Sequence, residues 1–265
     1  MSPSASSRTK FRGLRPGCLV ALVAFLLIAV LGGFLALRPV NEAKRLEQEL
    51  LDRHGAVPAY IPAPDGAVAP ERVEVFLAVR EALMEQTGQV QETYARIDVD
   101  MNAEDLSAAD GATTLKNVMK SLPLMVKFYR VRNGELMARG MSLGEYFYIY
   151  ATAYGDRLCP PPPEGSAPTT SPYVTPRATR EFAQILRNQL DANDPGPAAE
   201  LALAIEREIA SLERGHIFLP WQEGLPAALA QSLAPYRSRL APLFCLATRE
   251  LELGQKNKHP GGIAE

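Results

Sequence analysis

The distribution of apolar and polar positions divides the chain sharply. From Pro16 to Leu37 there is no charged residue, and the run 17–37, GCLVALVAFLLIAVLGGFLAL, lacks a polar face. As a helix rising about 1.5 Å per residue it would extend about 31 Å, the thickness of a bilayer's hydrocarbon core. Buried helices of soluble proteins rarely stay apolar on every side over such a length. Residues 17–37 are therefore expected to form a single transmembrane helix. Beyond it, Leu46, Leu50 and Leu51 recur at helical spacing behind Asn41, which predicts a helical stalk. Residues 55–69, with three prolines and two glycines, predict an extended connector.

From Pro70 onward the helical period dominates. Pro70 suits a first helical position, and Val73, Phe76, Leu77, Leu83, Met84, Val90, Tyr94 and Ile97 make one long apolar stripe. After the polar loop that begins at Asp98, a second stripe runs through Leu115, Val118, Met119, Leu122, Met125, Val126 and Tyr129 to Leu136, with a kink expected at Pro123. Gly140 stops this helix, and Ser142 with Glu145 forms a capping box that opens the next, flanked by Met141 and Tyr146 as a hydrophobic staple. That helix is dense in aromatic residues. A proline-rich loop follows Cys159, and amphipathic helices resume at about Pro176 and about Pro197, expected to pack as an antiparallel pair. The segment from His216 to Pro226 is irregular and holds Trp221. A last helix through Leu229, Leu233, Tyr236, Leu240, Leu243 and Leu246 should bend at Pro235 and Pro242.

No segment shows sustained period-two alternation. The fold class is therefore mainly α, an N-terminal transmembrane helix followed by a helical-bundle domain of about five to seven helices. The expected organisation is a basic cytoplasmic tail at 1–16, the transmembrane helix at 17–37, a helical stalk and proline-rich connector at 38–69, the helical domain at 70–253 interrupted by a proline-rich loop at 160–176, and a disordered tail at 254–265.

Charge sets the orientation. Arg8, Lys10, Arg12 and Arg15 precede the apolar run with no acidic residue among them, which favours a cytoplasmic N-terminus and an extracytoplasmic domain at the cell (inner) membrane. Arg38, Lys44, Arg45 and Arg53 follow the run and weaken the contrast. Secretion after signal cleavage is the weaker alternative, since the apolar run is longer than an ordinary signal core and Val30-Leu31-Gly32 makes a poor cut site. Ala29 with Gly33, and Gly32 with Ala36, have the small-residue spacing that would allow a homodimer through the membrane helix. With 28 basic against 30 acidic residues, the chain has no global field that would gather nucleic acid.

Candidate chemistry is sparse. Cys159 and Cys245 are expected to form a disulfide if the domain is exported, worth on the order of 4 kcal/mol in the chain-entropy model. His54, His216 and His259 are isolated from one another, so neither a metal site nor a cofactor is expected. Asp98, Asp100 and Asn102 imitate the start of a calcium loop, but Ala103 and Ala109 stand where such a loop needs glycine and glutamate. No GxSxG or phosphate-cradling glycine motif occurs, and no catalytic residue is assigned. Tyr146, Phe147, Tyr150 and Tyr154 are the candidate ligand or partner surface, because tyrosine combines large area with a polar tip. The competing reading of this helix is ordinary core. Lys127, Arg130, Arg132 and Arg139 make the preceding helix basic on one side, most simply a solvated face. The function expected is a membrane-anchored extracytoplasmic domain that binds or scaffolds another envelope protein or a lipidic ligand, more consistent with a non-enzyme. The alternative is a membrane-tethered hydrolase with a non-standard site, in which His216 is the one histidine within the helical domain.

Overall fold

The structure, a computed structural model, describes the backbone of residues 38–101, 110–158, 176–192, 196–214, 218, 220, 221 and 223–253, and the side chains of these except 94–101, 110–120 and Pro176. The expected membrane span at 17–37, Cys159, most of the proline-rich loop, His216 and the tail lie outside the described residues. Within the described residues no helix is long and apolar enough to cross a membrane. The chain divides into two compact units, Met1–Asn41 and Glu42–Glu265. Everything described from Glu42 onward belongs to the second.

Helices account for the regular structure, and no strand occurs among the described residues. Residues 38–54 are helical (α1), followed by α2 (Pro70–Ala82), α3 (Met84–Met101), α4 (Asp110–Arg139), α5 (Leu143–Leu158), α6 (Pro176–Asp191) and α7 (Ala199–Arg214). The C-terminal stretch is broken into α8 (Ala227–Leu233), α9 (Arg237–Leu240) and α10 (Arg249–Glu252), separated by short 3-10 turns that contain Pro235 and Pro242. Each of these prolines lacks the N–H that a continuing helix would use, which is why one long amphipathic pattern becomes several short pieces. The single long helix expected from Pro70 is two. Leu83, fully buried, closes α2 with its N–H shared between the Val79 and Arg80 carbonyls, and α3 starts at Met84, which is exposed. Pro123 is accommodated inside α4.

The central element is α5. Ser142 Oγ accepts from Glu145 N at 2.9 Å, one half of the capping box. The Glu145 carboxylate is held in a bidentate pair with Arg72 on α2, at 2.6 and 2.5 Å. A cap residue thus also joins two helices. Gly144 is needed for packing, since a Cβ there would overlap the Val57 carbonyl oxygen and lie 2.7 Å from Tyr60 Cβ. Along the rest of α5 nearly every residue to Tyr154 is buried.

The connector is irregular but does not act as a free spacer. Tyr148 donates to Gly66 O at 3.3 Å, Asn188 Nδ2 to Pro58 O at 2.6 Å and Gln189 Nε2 to Ala63 O at 2.8 Å. Leu50 of α1 and Val68 of the connector sit in the same core as α2 and α5. From Leu50 onward the expected stalk and connector therefore pack on the domain through Leu50, Val57, Tyr60 and Val68, with most of their other residues exposed or half-buried. Helices α6 and α7 pack on each other and are tied by the Arg187–Glu213 ion pair.

Candidate functional site

Two features along α5 hold the chemistry. The first is a buried polar cluster around its N-terminal half. Arg80 lies on the apolar stripe of α2 with Val73, Phe76 and Leu77, and like them it is sealed from water. Its guanidinium pairs with Glu252 of α10, also fully buried, and donates to the Tyr146 hydroxyl at 3.1 Å and to Leu243 O at 2.5 Å. Tyr146 in turn donates to Glu252 Oε2 at 2.8 Å. Arg132 of α4 approaches the same oxygen at 4.0 Å and donates to Leu251 O at 3.3 Å. Two guanidinium groups therefore share one carboxylate.

Aromatic faces complete the solvation of these charges. The Arg80 guanidinium carbon lies 5.3 Å from the Tyr150 ring centroid and 5.8 Å from that of Tyr154. Arg132 lies 5.0 Å from the Tyr129 centroid and 5.9 Å from that of Tyr146. Burial opposes the charge on Arg80, but the Tyr146 oxygen and the Glu252 carboxylate more than offset it, so its pKa stands well above the ordinary arginine value. Burial also raises Tyr146 and Tyr150, which keeps both hydroxyls neutral, and that of Tyr146 serves as a donor. The hydroxyl of Tyr150, Arg80 Nε and Asn133 Nδ2 are buried without a partner among the described residues. Cut off from solvent, the cluster serves as a clamp between α2, α4, α5 and the C-terminal segment.

The second feature is a cavity of about 520 Å³ beside the C-terminal half of α5, bounded by Pro220, Trp221, Gly224 and Leu225 and by residues of α8 and α9. Its walls include Thr152, Tyr154, Trp221, Leu225, Leu233 and Leu240, and Asp156, Arg157 and Arg237 stand exposed at its edge. Tyr154 donates to Leu240 O and Arg157 to Ala241 O, both at 3.1 Å, which fastens α5 to the opposite wall. Within the same lining α5 approaches residue 220 so closely that a Cβ on Gly155 would lie 2.9 Å from Pro220 O.

Trp221 gives this wall its unusual geometry. Its φ is +58°, a left-handed conformation that bulky side chains rarely adopt, and its indole N–H is buried without a partner among the described residues. Glu208 of α7 holds the turn, its Oε1 accepting from Trp221 N at 2.7 Å, and Gly224 N closes on Trp221 O at 2.9 Å with φ +103°. Burial raises the Glu208 pKa above the usual carboxylate range; the hydrogen bond from Trp221 counters this, and Glu223 adds to it.

No family model, no curated protein and no solved structure is matched by this chain. Its function has to be argued from its own residues.

Tyr146, Phe147, Tyr150 and Tyr154 are all buried, so none offers a surface to a partner. Phe147 stacks on Phe218 and meets Phe182 edge-on, deep in the core. Of the four, only Tyr154 lines the cavity. Cys245 is buried with a free thiol, 3.9 Å from both Thr87 O and Gln91 Oε1, and the disulfide expected with Cys159 is not seen. Arg132, expected on a solvated face, is buried in the cluster, whereas Lys127, Arg130 and Arg139 pair with Glu85, Glu42 and Glu135. Sequence reasoning missed Arg80, Glu252, Asp156 and Arg237. A signal existed for Arg80 alone, since a charge in the middle of an apolar stripe has to be paired or solvated inside the core.

Proposed function

We propose that the chain is a membrane-tethered binding domain, held at the bilayer by residues 17–37 with its N-terminus cytoplasmic and its helices extracytoplasmic, and that it receives a lipidic ligand in the cavity beside α5. The observation that carries this reading is the cavity itself. Its 520 Å³ falls in the range of small-molecule sites. Ala153, Leu225 and Ala241 are the partly accessible apolar residues of its lining, backed by the buried Trp221, and the charges at its edge can orient one polar end of a ligand. Such a division between apolar body and polar mouth suits an amphiphile drawn from, or delivered to, an adjacent membrane.

The test is native mass spectrometry of the full chain released from membranes, together with Ala153→Phe. Ala153 lines the cavity, and a phenyl ring there would fill it. The parent protein is expected to carry a bound amphiphile that the variant lacks. A parent with no bound amphiphile, or a variant that retains it in equal amount, would count against the reading.

A further inference from the structure

Three unfavourable features meet at one place on the cavity wall. Trp221 holds φ +58°, a left-handed conformation that a bulky side chain adopts at a cost. Its indole N–H is buried with no partner among the described residues. Beside it the Glu208 carboxylate is buried, and what it receives is a backbone hydrogen bond, from Trp221 N to Oε1 at 2.7 Å, rather than a cation. Charged groups on the surrounding elements do not supply one: Glu223 acts on Glu208 as a like charge and pairs with Arg207 at 3.6 Å, Arg187 of α6 pairs with Glu213, and Arg157 of α5 donates to Ala241 O. A carboxylate buried in this way favours its protonated form.

One outward movement of Trp221 would relax all three features, giving the backbone an ordinary φ, the indole N–H a water and the carboxylate its hydration. Against that movement stand the Trp221–Glu208 bond and the close seat of Pro220 on α5, where a Cβ on Gly155 would lie 2.9 Å from Pro220 O. Opposed terms at one element make it a two-state device that a single proton can bias. We propose that Trp221 and Glu208 form such a switch: with Glu208 protonated, Trp221 stays closed against the cavity, and with Glu208 ionised it swings outward and opens that wall. The switch concerns the wall alone and stands whether or not the cavity takes a ligand.

Linkage fixes its direction. In the closed form burial raises the Glu208 pKa, with Glu223 adding to the rise and the Trp221 hydrogen bond acting against it. Released and hydrated, the group returns to the ordinary glutamate value. The closed form therefore binds the proton more tightly and is favoured at low pH, by about tenfold for each pH unit that separates the two values. A proton on Oε2 leaves Oε1 to accept from Trp221 N, so the bond survives while the charge is lost.

Trp221 is the chain's single tryptophan, so its emission reports the switch. The full chain in phosphatidylcholine vesicles is titrated from about pH 4 to about pH 8, a range that spans the ordinary glutamate and histidine values, with helix content followed by circular dichroism. Emission is expected to shift to the red, and acrylamide quenching to rise, as pH increases through a midpoint above the ordinary glutamate value, at constant helix content. Glu208→Gln is neutral, nearly isosteric and keeps an acceptor for Trp221 N; it should hold the blue, quencher-protected emission over the whole range. His216→Gln, which removes the imidazole nearest in sequence, should leave the titration in place. An emission that does not move with pH, a red shift that appears on acidification instead, or a titration that survives Glu208→Gln overturns the proposal, and so does a titration lost in His216→Gln.

Discussion

Glu252→Gln is expected to be the most damaging conservative substitution in the core, and to damage it more than Arg80→Met. Glu252 is the carboxylate shared by Arg80 and Arg132, and both it and Arg80 are fully out of water. Removing one partner of a buried ion pair usually costs about 3–5 kcal/mol, because the survivor keeps its desolvation penalty without its compensation. Glutamine keeps the shape and can still accept from Tyr146, so the loss is mostly charge, and two cations rather than one are left uncompensated. The upper part of that range is expected. Arg80→Met instead leaves Glu252 with Arg132 at 4.0 Å and the Tyr146 donor at 2.8 Å, while the aliphatic stem is roughly preserved. Its cost is the unpaired Leu243 carbonyl and one lost charge partner, about 2–3 kcal/mol.

The two variants and their combination should be compared by urea and by thermal denaturation of the full chain in mild detergent, following helix content by circular dichroism. At about 2–4 °C per kcal/mol for a domain of this size, Glu252→Gln should lower the melting temperature by about 10 °C or more. In the double variant the penalties should fall short of their sum by at least about 1 kcal/mol, since Arg80 is no longer present to be stranded. A Glu252→Gln that costs under about 1 kcal/mol, or strict additivity, would refute the shared-carboxylate account.

Other consequences can be checked alongside. Glu208 has a folded pKa raised above its unfolded value, so its contribution to stability is present in full below the ordinary glutamate range and is lost as pH rises through the raised value; Glu208→Gln should flatten that part of the stability–pH curve and be no less stable than the parent at neutral pH. Gly144→Ala should destabilise by about 1–3 kcal/mol in the same denaturation assay, because the Val57 carbonyl cannot yield to a methyl group cheaply. Gly155→Ala should push Pro220 and the adjoining Trp221 away from α5, visible as a changed Trp221 emission with most of the melting temperature retained. Deleting residues 17–37 should move the chain from the alkaline-carbonate membrane pellet to the supernatant, and persistence in the pellet would remove the proposed tether.

Much of the helical layout can be read from the apolar period and its punctuation. Gly140 and Ser142 bound α5, and Pro176 opens α6, because these residues have local backbone consequences that packing does not override. The break at Leu83 was hidden. Both sides of it share one apolar pattern, and the carbonyls of Val79 and Arg80 end α2 without a glycine or proline to mark the place. The packing of the 55–69 connector was equally illegible, since prolines announce irregular backbone but do not say what it lies on. At the candidate site, the four-residue spacing of Tyr146, Tyr150 and Tyr154 points to α5, the helix along which both the buried cluster and the cavity lie. What that spacing could not tell is that one end of the row would serve the core and the other a cavity, because the difference comes from α9 and α10, brought back from far along the chain.

Tyr154 stands where those two environments meet, and its position gives the clamp a bearing on the cavity. Its ring packs on Phe76 with centroids 6.3 Å apart and lies 5.8 Å from the Arg80 guanidinium, while its hydroxyl donates to Leu240 O on the cavity's far wall. Arg80 itself donates to Leu243 O, only three residues further along the same C-terminal segment. The C-terminal segment that carries part of the cavity wall is thus held by two buried donors, one from α5 at Leu240 and one from α2 at Leu243, just beyond the wall, and the second depends on Glu252 remaining paired. Tyr154→Phe removes the first without disturbing the ion pair. It should therefore loosen the wall, changing Trp221 emission and ligand affinity by a few-fold with a stability loss of about 1 kcal/mol. Glu252→Gln should disturb wall and stability together. If Tyr154→Phe left ligand affinity untouched, the cavity would be held by packing alone, and the clamp would have no part in binding.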